Sequence, residues 1–225
     1  MTTTTFWEGL SEGEQGELTR IGRTKRWYQP GQHLFTQSIR GEEAIVLTSG
    51  SCRVVGHNRD GSGSYLGART KGDIVGEMAM LRSESRTATV VALTPVRVRV
   101  LSKSAFASAL SQHPGIALNL LRILADRLEE ADGFRADLAG AATADVRLSR
   151  MLLRVVAAEG TATHAGIVLE RVSQRELADW CGMSLASAGR SLRKLQERRI
   201  LDEVRKRERI VVCDMPALRD HAFPP

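Results

Sequence analysis

The stretch VSQRELADWCGMSLASAGRSLRKLQERRIL, Val172 to Leu201, decides how the rest of the chain is read. Ser173 with Glu176 three residues on is a capping box, in which each side chain satisfies the other residue's free N–H. The spacing predicts a helix over Gln174–Trp180. Gly182 supplies a left-handed turn position, and Ser184 then caps a second helix from Leu185 to about Arg198. Leu177, Ala178, Met183, Ala188, Leu192 and Leu195 fall on the inner side of such a pair. Leu185, Ala186, Ser187, Arg190, Arg193 and Lys194 fall on the outer side. This is a helix-turn-helix layout whose second helix is sized for a major groove.

Toward the C-terminus, ILDEV and RIVVCD read as two strands joined by RKRE, a basic wing beside the helix pair. Arg205, Lys206, Arg207 and Arg209 are expected against phosphate, with Ser173, Gln174, Arg175 and Ser184 as further backbone contacts. Arg190 can fork onto a guanine, whereas Leu185 and Ala186 can touch thymine methyls but donate nothing. Residues 145–225 carry 15 Lys/Arg against 11 Asp/Glu, and residues 1–144 carry 17 against 15. The last third is therefore the more basic per residue, which favours a polyanionic partner there. A helix from Asp145 to Glu159 is expected to support the pair.

Toward the N-terminus the pattern passes through a long helix and then turns to strands. Pro114 can sit in the first turn of a helix from Gly115 to about Leu138. Ala117, Leu121, Leu124, Leu128, Ala131 and Leu138 recur at 4,3 spacing if Arg135 fills one slot, a seam suited to pairing with a second copy, the alternative being a helix packed on its own sheet. Gly133 is a possible soft point in it, and the small-residue run LAGAATADV reads as a joint. Between Pro30 and Leu101, the runs HLF, AIVL, CRVV, YLG, DIVG, ATVVAL and VRVRV are punctuated by glycines, as in an antiparallel sandwich or barrel. A short helix is expected over Ser11–Ile21. The fold class read from this is α+β: an N-terminal antiparallel β-roll over 1–114, a dimerisation helix and hinge over 115–144, and a winged helix-turn-helix over 145–225.

No apolar run approaches the ~20 residues that span a bilayer, and the first residues have neither a basic nor an apolar signal region. Cys52, Cys181 and Cys213 make no metal or disulfide pattern. These features predict a cytoplasmic protein with reduced thiols and no membrane partner. No nucleophile–base set, metal cluster or phosphate loop supports an enzyme; Asp145, Cys181 and His164 stand isolated.

The order of β-roll, long helix and winged helix-turn-helix resembles the cyclic-AMP receptor protein/FNR (Crp/Fnr) family of bacterial transcription regulators. The markers are PGQHLF, LTSGSCRVV, GDIVGEMAML, RTATV and VSQRELADWCGMSLASAGRSLRKL, and they cover nearly the whole chain. The resemblance implies a homodimer that binds a double-stranded DNA operator, meets RNA polymerase, and is gated by a cyclic nucleotide, cyclic AMP ahead of cyclic GMP. In GEMAMLRSESRTATV the carried-over ligand positions are Gly76, Glu77, Met78, Arg86 and Thr87. A glycine lets the backbone approach a ligand, the short turn Glu77–Leu81 offers free N–H groups, and Arg86 matches a phosphate as a guanidinium fork. The alternative is an empty roll closed by a Glu77–Arg86 ion pair. Two departures from the best-known cyclic-AMP binders bear on this. The Gly76–Arg86 spacing is one residue shorter, and the Thr-Ser pair that meets the purine is replaced by Ala131-Asp132 or Phe134-Arg135. The amino-terminal cysteine cluster of the iron–sulfur branch is missing, and His33, His57 and His113 form no evident haem pair. Leu185 and Ala186 stand where the best-known members have Arg and Glu, which implies an operator other than the TGTGA-type half-site.

Overall fold

The computed structural model describes residues 4–58, 61–140, 143–204 and 208–224. Two compact units emerge: Met1–Gly56 with Ala68–Ala131, and His57–Gly67 with Asp132–Pro225. The division falls inside the long helix.

The first unit opens with α1 (Glu12–Ile21), whose start is a second capping box: Ser11 accepts from Glu14 N and Glu14 accepts from Ser11 N. Eight strands follow along the chain: β1 (Arg23–Tyr28), β2 (His33–Phe35), β3 (Glu43–Ser49), β4 (Cys52–His57), β5 (Gly63–Arg69, of which 63–67 fall in the second unit), β6 (Ile74–Val75), β7 (Thr89–Ala92) and β8 (Val96–Ser102). Between β6 and β7 lies α2 (Glu77–Arg82), and after β8 come α3 (Lys103–Gln112) and α4 (Pro114–Ala139). The strands form two four-stranded sheets, in the orders β1-β8-β3-β6 and β2-β7-β4-β5.

The apolar runs explain the layers. In β3, Ala44 and Val46 join one core with Phe6, Leu18, Phe106 and Ile116, while Ile45 and Leu47 join another with Leu34, Phe35, Val90 and Val98. A strand buried on both faces reads as an unbroken apolar run, which is why AIVL shows no alternation. By contrast β8 alternates: Val96 and Val98 are fully buried while Arg97 is exposed. Arg97 is not idle, because its guanidinium lies 3.8 Å from the ring centroid of Trp27, its cross-strand partner on β1.

Three expectations need correction. The segment after Gly76 is a six-residue helix, α2, rather than an open turn; Ala79 and Met80 bury one side of it, and it contains no breaker. The helix α3 was not anticipated, although Ser102 caps it through Ala105 N. The 4,3 seam of α4 is split. Leu124 packs against its own unit's core with Ile116, Leu120 and Ile123, whereas Leu121 and Leu128 are about 60% exposed, together with Leu118. The outward row is therefore Leu118, Leu121 and Leu128. The helix runs without interruption through Gly133.

The second unit holds α5 (Ala144–Glu159), β9 (Thr161–Thr163), β10 (Gly166–Leu169), α6 (Gln174–Trp180), α7 (Leu185–Glu197), β11 (Leu201–Val204), β12 (Arg209–Val212) and α8 (Met215–Ala222). Its four strands pair in the order β11-β12-β10-β9. In α5, Leu148, Met151, Leu152, Val155 and Val156 recur at helical spacing and are buried. Fully burying side chains of this size stabilises by ~1.5–3 kcal/mol each relative to exposure. The hairpin β9–β10 and the helix α8 are additions to the expected layout. Asp214 caps α8 by accepting from Ala217 N.

Candidate functional site

Gly76 is the residue before α2 and has φ 84°, in the left-handed region. A Cβ there would collide with the Phe35 ring and the Arg86 guanidinium, so only glycine fits. Glu77 and Arg86 are both buried, at 4% and 6% exposure, while Met78 and Thr87 are exposed. Burying two charges is costly unless each finds partners. They do not find each other.

Glu77 accepts from Arg127 of α4 at 3.0 Å, and Arg127 also donates to the Ile74 carbonyl at 2.9 Å. Asp73 stands 3.9 Å from the same guanidinium. Arg86 instead donates to the Gly76 carbonyl at 3.0 Å, with its guanidinium carbon 3.6 Å from the Phe35 ring centroid. Burial pushes the Arg86 pKa down, against the pull of Glu43 and Glu77. Nearby Arg69 is held below its usual range by burial and then by repulsion from Arg127. The expected Glu77–Arg86 closure is thus replaced by a Glu77–Arg127 pair. Arg127 was missed because its partner is fifty residues away and nothing in its own stretch marks it.

In the second unit the anticipated faces appear. Ser173 accepts from Glu176 N at 3.2 Å and Glu176 Oε2 accepts from Ser173 N at 2.8 Å, closing the capping box. Gln174 donates to the Leu185 carbonyl at 3.1 Å, tying α6 to the first turn of α7. Ser184 accepts from Ser187 N. Leu177, Ala178, Ala188, Leu192 and Leu195 are buried; Met183 is half-buried. Arg175, Leu185, Ala186, Arg190, Arg193 and Lys194 are exposed, with Ser187 intermediate.

Two of the basic residues have carboxylate partners, and Arg193 donates to the Gly189 carbonyl at 3.4 Å. Lys194 donates to Asp145 Oδ2 at 2.7 Å, and the other Asp145 oxygen accepts from the buried Ser191 hydroxyl at 2.5 Å. Arg209 lies 3.4 Å from Glu170. Arg205, Lys206 and Arg207 lie outside the described residues. The start of α5 also grips the turn between α6 and α7, since Arg147 donates to the Cys181 carbonyl at 3.3 Å. Burial there pushes the Cys181 thiol up to about 12, Arg147 opposing. Among the described residues, no helix is long and apolar enough to cross a membrane, and no group of three or more His, Cys, Asp or Glu could hold a metal ion.

Residues 25–113 match the family described as a cyclic nucleotide-binding domain, and residues 146–221 match the Crp-like helix-turn-helix domain. A cyclic AMP receptor protein from Thermus thermophilus is 28% identical over 184 residues, covering 82% of each chain. A cAMP-dependent protein kinase regulatory subunit from Debaryomyces hansenii is 38% identical over 113 residues, 50% of this chain and 23% of that one. Among solved structures, the c-di-GMP responsive global regulator CLP of Xanthomonas campestris superposes with a TM-score of 0.76 at 24% identity, over 91% of this chain and all of that one.

Proposed function

The chain belongs to the Crp/Fnr family of transcription regulators, and from that premise we propose that it acts as a homodimer gated by a small anionic effector held in its β-roll. The effector we assign is a cyclic nucleotide, cyclic AMP before cyclic GMP. Residues 1–114 take the effector, 115–144 carry pairing and the hinge, and 145–225 read DNA. The observation that carries the effector reading is the wall built by Gly76, Glu77 and Arg86. A left-handed glycine opens the backbone and two charged side chains are buried beside it, an arrangement that suits a ribose and a cyclic phosphate. Met78 and Thr87 complete it.

Pairing through the exposed row Leu118, Leu121 and Leu128 would place two α7 helices on half-sites ~34 Å apart. Arg190 would read a base, with Leu185, Ala186 and Ser187 beside it. Ser173, Gln174, Arg175, Ser184, Arg193, Lys194, Arg205 and Lys206 would hold the backbone. RNA polymerase is the further partner this reading implies, and no catalysis is assigned.

A second reading, a ligand-independent regulator with an empty roll, is favoured by one fact: Glu77 and Arg86 already have protein partners at 3.0 Å. Calorimetry with cyclic AMP and cyclic GMP separates the two. Heat of binding, with nucleotide-dependent selection of one operator from a random DNA pool, supports gating. No heat and no rise in melting temperature at millimolar nucleotide, with DNA selection intact, leaves the empty roll.

A further inference from the structure

The roll has a concavity that shares only Arg86 with the nucleotide wall. It is a half-open groove of about 690 Å³ walled by β1, β2, the end of β8 and the segment between β2 and β3. Four guanidinium groups line it, from Arg23, Arg26, Arg40 and Arg86. Of the residues assigned to the effector, only Arg86 reaches this wall; Gly76, Glu77, Met78 and Thr87 do not.

Two carboxylates share the groove. Glu43 takes Arg26 at 2.6 Å, and Glu42 faces Arg40 at 3.4 Å. Four positive groups against two negative leave a net +2 facing the cavity. Arg86 is the buried member. A guanidinium has five N–H donors, and among the described residues one of them is used, on the Gly76 carbonyl. A Cβ on residue 41 would collide with this guanidinium, so Gly41 makes room for it. The backbone holds Arg86 beside another of the groove's arginines: Arg40 bridges Ser85, and Arg86 N donates to the Ile39 carbonyl at 2.8 Å.

We propose that this groove binds a small phosphorylated anion, and that Arg86 serves both it and the nucleotide wall, so the two ligands exclude one another. Guanidinium forks match phosphate oxygens bidentately. A volume of this order is that of a small-molecule site. Phe35 and Ile39 give the ligand's remainder an apolar floor. The mutual exclusion rests on the effector reading above; the groove itself does not.

The test uses the full chain and inorganic pyrophosphate, followed by calorimetry at low salt. The variants are Arg23→Gln/Arg40→Gln, both exposed and outside the nucleotide wall, and Ser102→Asp. The latter puts a negative charge into the groove while keeping a residue that caps α3. Pyrophosphate binds the wild type, and each variant weakens that binding by about tenfold or more. Cyclic AMP binding is unchanged in the double variant, and saturating pyrophosphate weakens it in the wild type alone. Equal pyrophosphate affinity in wild type and both variants overturns the site, since the anion then sits elsewhere. Binding of both ligands without competition overturns the sharing of Arg86. Absence of any cyclic nucleotide heat overturns the effector reading instead, and the pyrophosphate arm still decides the groove.

Discussion

Replacing Asp145 by asparagine isolates a contact that ties the first turn of α5 to the face of α7. The carboxylate accepts from Ser191 at 2.5 Å and from Lys194 at 2.7 Å. Lys194 is 57% exposed, so solvent screening holds its share to ~0.5 kcal/mol. Ser191 is 1% exposed, and changing its acceptor from a carboxylate to an amide costs ~1 kcal/mol. The sum, ~1–1.5 kcal/mol, lowers the melting temperature of the second unit by ~5 °C or slightly more. The same change frees Lys194 for phosphate. Each added phosphate contact steepens the log–log salt dependence of DNA binding by ~0.9, so two copies add ~1.8. Over a fourfold rise in salt that is ~12-fold more affinity lost than in the wild type. Fluorescence anisotropy on one duplex across a salt series measures it. An unchanged slope with an unchanged melting temperature would refute the reasoning. The pH dependence has a definite sign. Burial raises the Asp145 pKa, but the bonds from Lys194 and Ser191 outweigh it and leave it lowered. Its stabilisation is complete above the ordinary carboxylate value of ~3.9 and disappears as pH falls through the lower folded value. Asparagine should remove that acid-side loss.

Glu77→Ala strands Arg127 and should cost ~3 kcal/mol of stability in urea melts, whereas loss of under half that would show the pair to be solvent-compensated. Leu121→Glu with Leu128→Glu should leave circular dichroism unchanged but halve the sedimenting mass; an unchanged mass places the dimer contact elsewhere. Arg190→Ala should cost ~1–3 kcal/mol at one operator position and little on unrelated DNA. Equal weakening on all sequences would reduce Arg190 to a phosphate contact.

The elements that were legible in the sequence carry their own local signals. Ser173 and Glu176, Ser184, and Pro114 at the head of α4 each mark a helix start within four residues. The strand runs were equally plain because both faces of β3 are buried and β8 alternates. What stayed hidden depends on partners far along the chain. Arg127 meets Glu77, and Lys194 meets Asp145, at separations of 50 and 49 residues. The short helices α2 and α3 were hidden for another reason: each follows directly on a strand run and neither opens with the capping box that marks α1 and α6. Arg86 stands out in the sequence, yet its stacking on Phe35 and its opening to the arginine-lined groove follow from the sheet packing alone.

The long helix α4 is built in two different ways along its length. Up to Leu124 it is cemented into the core through Ile116, Leu120, Ile123 and Leu124, and Arg127 ties it once more to Glu77 and to the Ile74 carbonyl. Its hold on the first unit therefore reaches Arg127. Substitutions up to Arg127 should be felt in folding yield, and those beyond it should leave the first unit folded. A population of natural variants would then show drift at one end of the helix and purification at the other.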